Sequence, residues 1–200
     1  MANTSAPFGF QLAGILDGTT GSLGQQTRLI ANGNTSSIFS GDPVVSLSTG
    51  YITKMTAGSA VQCAGIFAGC TYLNTSLGRT VWAPSWNGSG ATGDVTAYVI
   101  TNPNATFLVQ ATTSSGTAVP VTIADINANV DVVMGAGNTT TGQSTSSIDT
   151  YTINTTNTLP FRIIGLVTAP PGAPGTDATS AYNRVLVTFN NQDFKSLTGI

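Results

Sequence analysis

The stretch Arg184-Val185-Leu186-Val187-Thr188-Phe189 places Val185, Val187 and Phe189 at alternate positions. Successive side chains of a strand point to opposite faces, so this spacing gathers three apolar groups on one side of a sheet. Working back along the chain, similar runs recur at Phe161 to Val167, Ile148 to Ile153, Val130 to Met134, Thr106 to Ala111 and Val95 to Ile100. Nearer the start lie Val61 to Leu73, Tyr51 to Met55, Val44 to Ser48 and Thr27 to Ala31. Asn32-Gly33, Gly41-Asp42-Pro43 and Thr49-Gly50 supply turn chemistry between them. Turns about every ten residues suit a sandwich or barrel rather than parallel βαβ units. The expected fold is therefore all-β, a jelly-roll-like sandwich or small barrel.

Composition points the same way. Only 7% of the 200 residues are charged and Glu is absent, which is poor material for helices, while Gly, Thr, Ser and Asn supply turns and Val and Ile supply strands. The length suits a single β domain over residues 21–200, preceded by an N-terminal arm over residues 1–20. In that lead, Pro7, Phe8, Phe10 and Leu12 form an apolar but Gly-interrupted series. It reads either as an arm that adds to a neighbouring subunit or as an ordinary first strand closing the chain's own core. Trp82 to Gly93, and Ala169 to Asn183 with its Pro170-Pro171-Gly172-Ala173-Pro174-Gly175 run, read as long Gly/Pro-rich surface loops.

Several chemistries are weakened by what the chain lacks. Without His, the usual proton-transfer group near neutral pH and the commonest metal ligand are missing. The net charge of −2, with the six basic residues scattered, offers no footprint for nucleic-acid phosphates. No apolar run approaches the about 20 residues that span a bilayer, and no basic residue precedes the apolar lead, so a soluble chain without a signal peptide is expected. Cys63 and Cys70 match no zinc or redox spacing and read as small reduced core residues. Asn-x-Ser/Thr triplets, among them those at Asn34, Asn74, Asn87, Asn104, Asn138 and Asn154, read as turn and surface chemistry.

Candidate catalytic arrangements fare no better. Gly88-Ser89-Gly90-Ala91-Thr92-Gly93 has dinucleotide-loop spacing but runs into a predicted strand, where the motif needs a helix N-terminus. All eight carboxylates are Asp, at positions 17, 42, 94, 125, 131, 149, 177 and 193; Asp17, Asp42 and Asp94 abut Gly or Pro, where Asp caps turns, and turn chemistry is the expected role. Serine is plentiful, but no activating base or nucleophile elbow accompanies it. No enzymatic function and no cofactor or metal are expected. Trp82 and Trp86 stand out in the first long loop: Trp82 is expected to cap the core and Trp86 to serve as an interface anchor.

The opening Met-Ala-Asn-Thr-Ser-Ala-Pro-Phe-Gly-Phe resembles the start of a group of tailed-bacteriophage virion proteins. Further stretches carry the resemblance: Ile38 to Val44 followed by Gly50-Tyr51-Ile52; Gly65 to Gly69 with Tyr72; Val99 to Gln110; and Asn183 to Asn190. The Gly41-Asp42-Pro43-Val44 turn is similar to those of small β-domains in capsid decoration, or cement, proteins. Gln11 departs from the Arg that related chains often carry, and Gly135 to Ser147 does not align. The resemblance implies a non-catalytic cement protein made in the host cytoplasm and placed on the outer surface of the virion capsid. Its partners would be the major capsid protein and further copies of itself as a dimer or trimer, with no nucleic acid or membrane. Pro7, Phe8, Phe10, Leu12 and Trp86 are then the candidate capsid or subunit contacts. The rival expectation is a head-fibre or tail-surface module that binds a host glycan or receptor through the two long loops.

Overall fold

A computed structural model describes residues 2–16, 24–58, 62–197 and 199. Val61 and Asp17 lie outside the described residues. Among the described residues fifteen strands are present: β1 (Gln11–Ile15), β2 (Gln25–Ile30), β3 (Ile38–Phe39), β4 (Pro43–Ser46), β5 (Ile52–Lys54), β6 (Gly65–Asn74), β7 (Arg79–Ala83), β8 (Ser85–Trp86), β9 (Val95–Ile100), β10 (Ala105–Thr112), β11 (Asn129–Val130), β12 (Val132–Val133), β13 (Ser147–Asp149), β14 (Phe161–Leu166) and β15 (Arg184–Phe189). The only helical pieces among the described residues are single 3₁₀ turns at Ile123–Asp125 and Thr150–Thr152. The all-β expectation holds.

One sheet runs β11-β14-β15-β10-β13-β12, with β1 added to β10. The other runs β2-β9-β6-β4-β5, with β7 added to β6, and curls into a nearly closed barrel. The barrel's ends approach through Asn34, whose side-chain amide donates to Thr53 Oγ1 at 3.2 Å, and Tyr51, whose hydroxyl donates to Asp94 at 2.9 Å. The short β3–β8 pair brings Ile38 and Trp86 into the barrel's core.

Strand alternation explains why the barrel wall is apolar on both faces. Val44, Phe67 and Val99 enter the barrel core, while Val45, Ile66 and Ile100, one residue away in each strand, enter the core shared with the first sheet. That shared core centres on Phe10, Phe107, Phe161 and Phe189, with Phe10 stacked on Phe161 at 4.5 Å and Phe107 edge-on to Phe189 at 5.1 Å. On β15, Val185, Val187 and Phe189 are buried as the opening motif predicts.

The structure departs from expectation in three elements. Trp82 to Gly93 is not wholly loop, because Leu77 and Gly78 close a hairpin that returns as β7. Asn74 Oδ1 accepts from the Ser76 and Leu77 amides and Gly78 takes φ +60°, which is turn chemistry only Gly adopts freely. The run Val130 to Met134 breaks at Asp131, whose amide donates to Thr152 Oγ1 instead of a strand. The run from Ile148 ends at Asp149, whose carboxylate accepts from the Tyr151 amide at 3.0 Å and starts a 3₁₀ turn. Ala169 to Asn183 contains no strand, as expected.

Candidate functional site

The two tryptophans exchange the places the sequence suggests. Trp86 is 2% exposed, its indole N–H donates to the Asn34 carbonyl at 3.1 Å, and its ring meets Tyr72 edge-on at 5.4 Å. Trp82 is 61% exposed. The cause is register: Trp86 pairs with the core residue Ile38, whereas Trp82 pairs with Thr71 on the outer face of β6. Phe10, 3% exposed, is likewise a core residue and not a surface contact. Leu12 packs half-buried against the core, Pro7 is half-buried, and Phe8 lies 5.0 Å beneath the Arg184 guanidinium.

Residues 2–16 are tied to the chain's own body. Asn3 donates to the Asp177 carbonyl at 2.8 Å, and the Ala6 amide donates to Gln110 Oε1 at 2.8 Å. Gln110 in turn donates to Thr4 O and Tyr182 O, and β1 pairs antiparallel with β10. Of the two readings of the lead, this arrangement is that of a first strand on its own sheet.

The outer face of the barrel wall is built from opposed residues, whose side chains share one side of the sheet. Thr27, Tyr98 and Gly69 form one rung; Leu29, Thr96, Thr71 and Trp82 form the next; Leu73 and Thr80 begin a third. No charged side chain stands in these rungs, and Leu29, Leu73 and Trp82 are exposed. Gly69 has a reason to be Gly: a Cβ there would sit 3.0 Å from Trp82 Cζ2, so its absence lets the indole lie against the sheet. The outer edge of β7 is unpaired among the described strands.

The carboxylates mostly serve turns. Asp125 accepts from Thr122, Asp177 from Thr179, and Asp131 from the Val132 and Gly58 amides. The fold brings Asp131 and Asp149 together, with the Asp149 amide donating to the Asp131 carbonyl at 3.0 Å. Burial first, and then the charge of Asp149, push the Asp131 carboxyl above its ordinary range. Each of these two carboxylates holds backbone amides, an arrangement that organises loops. Cys63 and Cys70 are free and buried in different cores, and burial pushes both thiols up to about 12. No cluster of three or more metal-binding side chains occurs among the described residues. No helix there is long and apolar enough to cross a membrane. The glycines from Gly88 lead into β9, a strand, so the dinucleotide-loop order is not met. No protein-family model matches the chain, and no curated protein or solved structure does.

Proposed function

We propose that this chain is a non-catalytic structural protein of a tailed-phage particle, a decoration protein that binds the outer capsid and braces capsomer junctions. The observation that carries the reading is the uncharged face of β2, β9, β6 and β7, with Leu29, Leu73, Tyr98 and Trp82 set among threonines. Such a face can be covered by protein without desolvating an ion, and an exposed indole is a favoured interface anchor. The resemblance of the Ala6-Pro7-Phe8-Gly9-Phe10 and Gly41-Asp42-Pro43-Val44 stretches to phage virion proteins supports the same assignment. Its partners are the major capsid protein and further copies of the chain, and lattice symmetry raises modest single-site affinity through avidity.

The test is loading onto expanded capsids that lack the chain, measured by sedimentation. Wild type should load in fixed ratio to the capsid protein, and Trp82→Ala and Thr27→Lys should each weaken loading by about tenfold or more. Undiminished loading by both variants contradicts the assignment of this face. A second reading, a head-fibre or tail-surface module for a host glycan or receptor, is favoured by the exposure of the Trp82 indole, 61% open to solvent.

A further inference from the structure

Asn32-Gly33 and Asn87-Gly88 are the two Asn-Gly pairs of the chain. The amide nitrogen that follows an Asn can attack its side-chain carbonyl carbon and close a succinimide ring. Glycine hinders that approach least, because it has no Cβ and turns freely. The fold treats the two pairs differently. Asn32 and Gly33 are the exposed middle of the turn after β2, which the Asn34 amide closes by donating to the Ala31 carbonyl at 3.0 Å. Gly33 takes φ +91°, the conformation such a turn reserves for glycine at its third position. Its amide nitrogen has no hydrogen-bond partner among the described residues, and nothing lies within 4 Å of where a Cβ would be. Gly88 is instead backed onto Thr35, whose carbonyl oxygen would stand 2.4 Å from a Cβ there. Gly33 therefore has room to bring its nitrogen over the Asn32 side chain, and Gly88 cannot turn without pushing on backbone.

We infer that Asn32 is a site of spontaneous conversion to aspartate and isoaspartate, the fastest such site in the chain, and that the isoaspartate form unlocks the barrel seam. Hydroxide takes the proton of the Gly33 amide, whose nitrogen then bonds to Asn32 Cγ. The Cγ–Nδ2 bond breaks, and that nitrogen takes a proton from water and leaves as ammonia. Water then opens the succinimide at either carbonyl: attack at Cγ gives aspartate, and attack at the backbone carbonyl gives isoaspartate, whose main chain runs through the former side chain and is one carbon longer. One water enters, one ammonia leaves, and nothing is oxidised or reduced.

The two products act differently on the fold. Asn34, just past the turn, is held in three ways: its side-chain amide donates to Thr53 Oγ1 at 3.2 Å, its Oδ1 accepts from the Ser36 amide at 2.8 Å, and its carbonyl accepts from the Trp86 indole N–H at 3.1 Å. An extra carbon between Asn32 and Gly33 opens the Ala31–Asn34 hydrogen bond and displaces Asn34 from β5 and from Trp86. Aspartate leaves the backbone as it was and adds only a charge, on the residue whose amide donates to Asp94 at 2.8 Å. Both residues are exposed, so water and salt screen the added repulsion. None of these residues stands in the outer-face rungs assigned to the capsid, so each proposal can fail alone.

The experiment is ageing of the folded full chain in mildly alkaline buffer, followed by trypsin digestion and tandem mass spectrometry. Cleavage after Arg28 and Lys54 isolates Asn32 in residues 29–54, and cleavage after Arg79 and Arg162 places Asn87 in residues 80–162. Acid should accumulate at Asn32 about tenfold or more faster than at Asn87, at a rate that rises with pH. In isotopically labelled protein, the isoaspartate form should shift the Trp86 indole N–H and Thr53 amide resonances. A freshly prepared Asn32→Asp variant, which carries the charge on an unlengthened backbone, should leave both in place. No acid at Asn32, or conversion of Asn87 as fast as that of Asn32, overturns the proposed site. An isoaspartate form with unmoved Trp86 and Thr53 resonances overturns the unlocking of the seam.

Discussion

Asp42 and Lys54 form an ion pair at 3.1 Å in which the Asp42 side chain is wholly buried and that of Lys54 18% exposed. Asp42 Oδ1 accepts from Ser144 Oγ at 2.6 Å and Ser146 Oγ at 2.7 Å, while Oδ2 accepts from the Phe39 amide at 2.9 Å. Lys54 Nζ also donates to the Gly135 carbonyl at 2.8 Å. This clasp joins the Gly41-Asp42-Pro43 turn to the segment from Gly135 to Ser146. The adjoining Gly41 and Ser146 carbonyls accept from the Phe10 and Gly9 amides, which fixes the entry of β1. Asp42→Ala strands the Lys54 charge and three donors, so it should destabilise the fold by about 3–5 kcal/mol in denaturant unfolding. A loss under about 1 kcal/mol would show that the clasp is dispensable.

The tryptophans provide a contrast within one hairpin region. Trp86→Ala removes a buried ring and its hydrogen bond and should cost about 3–5 kcal/mol. Trp82→Ala should stay within about 0.5 kcal/mol of wild type, because its ring lies largely in water. Equal losses for both, measured by chemical denaturation, would contradict the register of β7 on β6.

Gly65 tests the crossing of β4, β6 and β9. A Cβ there would fall 2.3 Å from the Ile100 carbonyl oxygen, a backbone atom that cannot swing aside. Gly65→Ala should lower stability by about 1–3 kcal/mol through overpacking, seen as a reduced melting temperature.

Gln110 is 3% exposed and holds residues 4 and 6 of the lead as well as Tyr182. Gln110→Ala should speed hydrogen exchange at residues 3–9 while leaving the amides of β14 and β15 protected. Unchanged exchange in the lead would mean that β1 alone anchors it. Deleting residues 2–16 is a poor test of capsid binding, since it takes Phe10 out of the core.

Asp131 sets a pH dependence. Its folded carboxyl titrates above the ordinary 3.8, so the folded state holds its proton more tightly than the unfolded chain does. Stability from this group is therefore greatest below pH 3.8 and falls as pH climbs from there through the raised value. The stability of wild type relative to Asp131→Asn should rise as the solution is acidified across that window. A constant difference between the two proteins from acid to neutral pH would remove the effect.

How much of this was legible in the sequence depended on whether the signal was local. Alternation at Val185, Val187 and Phe189 reports a property of one strand, and it marked the sheet correctly. The positions of Trp82 and Trp86 depend on which strand each one pairs with, a long-range matter that a Gly/Trp-rich run does not encode. Phe10 is apolar and sits in the N-terminal lead, yet it packs on Phe107 and Phe161, which come far later in the chain. The sequence marks Asp42 as a turn residue, which it is, but its ion pair with Lys54 and its bonds to Ser144 and Ser146 arise only when three distant segments meet.

The central claim is that the uncharged face carrying Trp82 seats the chain on a capsid. Cryo-EM of the intact phage particle tests it most directly. The account predicts density for this chain on the outer capsid lattice, in near-fixed ratio to the major capsid protein, with β2, β9, β6 and β7 turned toward that protein. Density confined to the tail or to one unique vertex would contradict it and leave the host-binding reading in its place.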